Sequence, residues 1–152
     1  MAIRASLWLP SQGVKLCYTP AASIATAKGA VARRGGPLAD RGIAEKRTFS
    51  YDEAAALLPD VRQITAKANQ EVEDLRAAVG EGRLDAERFE AEATAIVNDW
   101  AGRVRSFGIE VKGIWLVDFD NGSGYYCWCW PETALLFFHT HEEGFGGRMR
   151  IQ

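Results

Sequence analysis

Residues 61–107 read VRQITAKANQEVEDLRAAVGEGRLDAERFEAEATAIVNDWAGRVRSF, and within them apolar side chains return every three or four positions along two separate runs. In the first run Val61, Ile64, Ala68, Val72, Leu75 and Val79 form one stripe on an otherwise charged surface; in the second, Phe89, Ala93, Ile96, Trp100, Val104 and Phe107 do the same. This is the period of an α-helix that buries one face. Gly80-Glu81-Gly82 stops the first helix, Asp85 is placed to cap the second, and Gly108 ends it. Two helices joined by so short a turn fold back as an antiparallel hairpin. A lone pair leaves much of both stripes wet. The hairpin therefore needs a sheet or a second copy of itself against it, and a homodimer is one expected way of completing the core.

Upstream, Ser50 followed by Glu53 is a capping box, with Phe49 placed to staple onto the first turn. Pro59 lacks an amide proton and crowds the turn before it, so a short entry helix, a bend near Leu58 and a long helix opening at Pro59 are expected. Downstream of Gly108 the period changes to two. Ile109–Val111, Ile114–Phe119, Tyr125–Trp130 and Leu135–His139 are runs of β-branched and aromatic residues, and Asp120-Asn121-Gly122-Ser123-Gly124 is a hairpin turn. The fold class that follows is α+β: an antiparallel helical hairpin with a kinked entry helix, packed on a small antiparallel β-meander. Along the third run Tyr126, Trp128 and Trp130 share one face and Tyr125, Cys127 and Cys129 the other, and the indole face carries the larger apolar area for the core.

Composition bounds the rest. A chain of 152 residues, 47% hydrophobic and 25% charged, suits one globular core, expected over residues 48–152. Residues 1–47 carry eight basic and two acidic residues, a net of +6, whereas the remaining segment has ten basic and eighteen acidic, a net of −8. An acidic body argues against nucleic acid as the main ligand, because neutralising phosphates needs a basic face. The first 39 residues lack Asp and Glu altogether and hold no sustained periodicity. Their composition is that of a targeting presequence, but the plainer reading of 1–47 is a basic, disordered extension. No apolar run reaches the length of a membrane span. Three cysteines, two of them one residue apart on a strand, are a poor disulfide framework and point to a reducing, cytoplasmic setting.

Nearly all side chains with chemistry at neutral pH lie between Tyr125 and Ile151. Cys127, Cys129, His139 and His141 face one side of a hairpin if its register sets Cys127 opposite His139, and such a set suits zinc. The spacing is loose, since Cys-x-Cys on a strand separates the sulfurs by about 6–7 Å. Cys127 and His139 with a carboxylate from Glu132 or Glu143 would form a thiol–imidazole–acid arrangement. Gly144-Phe145-Gly146-Gly147-Arg148 looks like a phosphate loop but has no helix behind it and no Lys-Ser/Thr pair. A structural task is simpler for the cluster of Asp118, Trp128, Glu132, His139, Glu143, Phe145 and Arg148. Arg148 pairs with Glu143 or Asp118, His139 bridges the sheet to the tail, and the C-terminal segment is pinned across the helical hairpin.

The run from Phe49 to Pro59, Gly108–Lys112, Leu116–Phe119, Cys127-Trp128, Glu132, Phe138-His139 and Glu143-Gly144-Phe145 with Arg148 resembles the prokaryotic family catalogued as domain of unknown function 2203, over about residues 49–151. The resemblance implies a small cytosolic bacterial protein of helical hairpin plus sheet, and carries over no activity. It also implies a basic or polar residue where Cys129 stands and an apolar one at His141, so a metal site common to the family would draw on Cys127, His139 and neighbouring acids. The expected function is a non-enzymatic binding or scaffolding module that self-associates. The alternative is a metal-binding protein, or a metal- or thiol-dependent enzyme built on Cys127, His139 and Glu143.

Overall fold

A computed structural model describes residues 47–151. The basic extension expected over 1–47 therefore lies, apart from Arg47, outside the described residues. Within them, α1 (Tyr51–Gly80) and α2 (Ala86–Ser106) form the antiparallel hairpin. Five strands follow: β1 (Glu110–Gly113), β2 (Leu116–Asp120), β3 (Gly124–Cys129), β4 (Phe137–Thr140) and β5 (Met149–Arg150), with a 3₁₀ turn at Gly144–Gly147. Strand order in the sheet equals sequence order, and every pairing is antiparallel. The result is the α+β arrangement of hairpin and meander that the two periodicities imply.

The helix ends are built as their sequences dictate. Ser50 Oγ accepts from the amide of Glu53, whose carboxylate accepts from the amide of Ser50, so two otherwise orphaned donors are satisfied. Asp85 accepts from the amide of Arg88 at 2.8 Å and starts α2. Phe49 packs edge-on against Phe119 and donates its amide to the Asp120 carbonyl at 2.7 Å, fastening the start of α1 to the sheet. The expected break at Pro59 does not separate two helices. α1 is a single helix of 30 residues running through the proline. The ring removes one backbone hydrogen bond, but Leu58 and Val61 on either side are both buried in the core, and their packing keeps the chain on the helical path.

The core lies between the hairpin and one face of the sheet. Ala54, Leu58, Val61 and Ala68 of α1 meet Val97, Trp100, Ala101 and Val104 of α2, and Val117, Phe119 and Trp128 come up from the strands. The Trp128 indole is wholly buried, as the argument from apolar area requires. Thr65 is the one polar side chain of α1 at this depth. Its hydroxyl donates to the Val61 carbonyl at 2.7 Å and accepts from the Trp100 indole at 2.9 Å, so burial leaves neither group unsatisfied.

Trp115, between β1 and β2, is the one non-glycine residue with positive φ among those described, at 60°. A bulky side chain rarely adopts this conformation. Its ring sits 4.8 Å from that of Trp100, and its carbonyl accepts from the Trp130 amide, contacts that hold the turn in place. No described helix is long and apolar enough to cross a membrane.

Candidate functional site

The alternation that sends Trp128 inward sends Cys127 to the other face of the sheet, and register decides what meets it there. On that outer face Asp118 of β2 lies directly opposite Cys127. Phe137 of β4 lies opposite Cys127 on the far side, and His139 pairs with Tyr125, one step along the same face. Cys127 and His139 are thus diagonal neighbours, not the direct pair that the four-residue zinc set required. Asp118, Cys127 and His139 nonetheless converge, with one ligand atom from each lying within 4.8 Å of the others. Cys129, opposite Leu116, and His141, beyond the end of β4, do not join them. His141 faces Asp120 at 3.2 Å and packs on the Tyr125 ring.

All three converging residues are buried, and Cys127 is a free thiol with no exposed surface. His139 Nδ1 faces the Thr140 carbonyl at 2.8 Å, and a carbonyl only accepts, so the ring hydrogen belongs on Nδ1. Nε2 is then turned to Asp118 Oδ2 at 3.2 Å. The second oxygen, Asp118 Oδ1, is buried and has no hydrogen bond of good geometry. Burial raises the Asp118 carboxyl above the usual carboxylate range, against the lowering pull of the Cys127 thiol, His139 and Lys112. Burial likewise pushes the Cys127 thiol up, the Asp118 charge pushes further in the same direction, and Arg148 only partly opposes them. A thiol raised in this way is a poor nucleophile at neutral pH.

The closing segment is built around Arg148. Its guanidinium donates from Nη2 to both oxygens of Glu132, at 2.8 and 2.9 Å, and to the Cys127 carbonyl at 3.3 Å. It also lies over the rings of Phe137, at 4.1 Å, and Phe145, at 4.8 Å. Arg148 does latch the C-terminal segment, but its acid is Glu132, not Glu143 or Asp118, and the latch closes on the outer face of the sheet, not across the helical hairpin. The turn after β3 explains the choice: Glu132 Oε2 accepts from the Cys129 amide, and the Glu132 carbonyl accepts from the Trp128 indole, so this carboxylate is fixed before Arg148 reaches it. Glu143 instead accepts from the Thr140 hydroxyl at 3.0 Å. Phe145 packs on Leu116, Cys127 and Cys129 from the 3₁₀ turn.

Two features were not anticipated from the sequence. Met149 and Arg150 add a fifth strand, pairing with Phe138 and Phe137, beyond the four runs read from the sequence. Asp118 belongs with Cys127 and His139 rather than with Arg148. Parity gave a usable signal, since Leu116, Asp118 and Asp120 alternate with Val117 and Phe119 and so share the face of Cys127 once β2 and β3 pair.

The family model described as an uncharacterised conserved protein, DUF2203, matches residues 47–151. The chain belongs to this family. The DUF2203 match begins where the described structure begins, at Arg47, and ends beyond β5, so it takes in the capping box, the hairpin, the meander and the Arg148 latch together. No curated protein and no solved structure matches the chain.

Proposed function

We propose that this domain is a non-enzymatic binding module that self-associates through the far end of its helical hairpin. The carrying observation is a mismatch of lengths. A 30-residue helix is about 45 Å long, whereas strands of four to six residues extend about 13–20 Å, so the sheet supports only part of the hairpin. Burial follows the support. Ala54, Leu58, Val61 and Thr65 are buried, but Leu75, Val79 and Phe89, toward the Gly80 turn, are only half-buried. An open apolar hollow lies along this stretch, lined by Val72, Phe89, Ala93, Val97, Ile114 and the strained Trp115, with Arg76 at its side.

A second copy of the same apolar edge completes the core that one sheet leaves unfinished. The burial of Cys127 and its raised thiol support a binding rather than a catalytic role for the outer face. Sedimentation of the full chain should give a dimer at micromolar concentration, and Phe89→Glu should shift it to monomer with helical circular dichroism retained. A monomer throughout the micromolar range overturns self-association. Alkylation of Cys127 by iodoacetamide at the rate of free cysteine overturns the non-enzymatic reading.

A further inference from the structure

We propose that Asp118, Cys127 and His139 form a binding site for a single borderline divalent cation of the zinc class. Three independent features of the outer face point to it. The donors are a carboxylate oxygen, a sulfur and an imidazole nitrogen, the mixture that zinc, cobalt(II) and iron(II) accept and that magnesium or calcium does not favour. The mutual separations, all within 4.8 Å, need only a small contraction. Bonds of about 2.0–2.3 Å to one tetrahedral centre put ligand atoms roughly 3.3–3.8 Å apart.

The second feature is the histidine. Its Nδ1 hydrogen is committed to the Thr140 carbonyl, so Nε2, which faces Asp118 Oδ2 at 3.2 Å, is the ring nitrogen that a cation would take by displacing the proton shared with the carboxylate. Metal-bound histidines are oriented in this way, by a hydrogen bond from the other ring nitrogen. The third is Asp118 Oδ1, an acceptor in a residue only 2% exposed that no N–H or O–H donor reaches, the carboxyl having only the weak thiol donor of Cys127 and the His139 ring beside it. Buried carboxyl oxygens without a strong donor are rare, and a cation that replaces the thiol and imidazole protons is a physical reason for this one. The strands fix all three side chains through backbone pairing, with Asp118 and Cys127 on paired β-positions and His139 one diagonal away. Three protein ligands leave one tetrahedral vertex for water.

The site is distinct from the hairpin surface and stands or falls without it. The test uses the full chain, purified without chelators, and cobalt(II) as a spectroscopic probe. Elemental analysis should give about one zinc or iron per chain, and cobalt(II) added to metal-free protein should produce a thiolate-to-cobalt band in the near ultraviolet. Cys127→Ser should abolish that band, His139→Gln and Asp118→Asn should each weaken cobalt binding by 10-fold or more (an order-of-magnitude expectation), and His141→Ala should leave it unchanged. Circular dichroism of each variant identifies any that fail to fold, and His139→Gln carries the test if Cys127→Ser does. Protein that takes up neither zinc nor cobalt(II) at micromolar concentration overturns the assignment, as does a thiolate band that survives Cys127→Ser.

Discussion

Trp128 and Cys127 are adjacent in the chain, and both are completely buried, yet they are held by different chemistry. Trp128 goes into a face lined by Val117, Phe119 and the two helices, where any apolar neighbour of suitable volume contributes. Cys127 goes into a face where a carboxylate, an imidazole and a guanidinium each depend on a named partner at a set distance. The inner face tolerates approximation; the outer face does not. Burial by apolar area is forgiving, whereas burial of charge is stable only while every partner stays in place.

The largest effect should come from the inner face. Trp128→Ala removes the ring that fills the centre of the core and should cost about 4 kcal/mol in urea unfolding. A loss under about 1 kcal/mol would mean that the faces do not differ as described.

Breaking the latch should come next. Arg148→Ala leaves Glu132 largely buried and without its cation, at a cost of about 3 kcal/mol. It should also speed alkylation of Cys127 while helical circular dichroism stays unchanged, which Trp128→Ala should not do selectively. A Glu132/Arg148 double-mutant cycle should show strong coupling, and additive losses would remove the latch from the account.

The smallest effect lies where the faces meet. A Cβ at Gly124 would run into the His139 carbonyl and the Phe138 ring, so Gly124→Ala should cost about 2 kcal/mol by pushing β4 away from β3. Since β4 carries His139, backbone amide shifts in a ¹H–¹⁵N spectrum should concentrate at 137–140. Changes confined to the Asp120–Gly124 turn would contradict that route.

This contrast also governs what could be read without coordinates. The helices, their caps, the change of period after Gly108 and the inward indoles were all legible, because they follow from spacing and apolar area. Pro59 misled because a local rule was set against tertiary packing at Leu58 and Val61, and the packing won. On the outer face the observed pairings differ from those read from the sequence. Whether Arg148 meets Glu132, Glu143 or Asp118 depends on a two-residue strand and a turn, and a shift of one residue changes every partner. Parity along β2 placed Asp118 on the face of Cys127, and the register set the two directly opposite.

The order of strands along the sheet, identical to their order along the chain, also bears on how the molecule is reached from its unfolded state. Each strand finds its partner next door, and the two helices do the same, so most closures span short loops and carry little entropic penalty. The long reaches return to α1 and its start, among them Phe49 to Asp120, the Tyr51 hydroxyl to the Leu135 carbonyl at 3.2 Å and the Arg62 guanidinium to the Thr133 carbonyl at 3.1 Å. Helical hairpin and meander are thus each built from neighbours in sequence, a topology that favours rapid folding for a protein containing five strands.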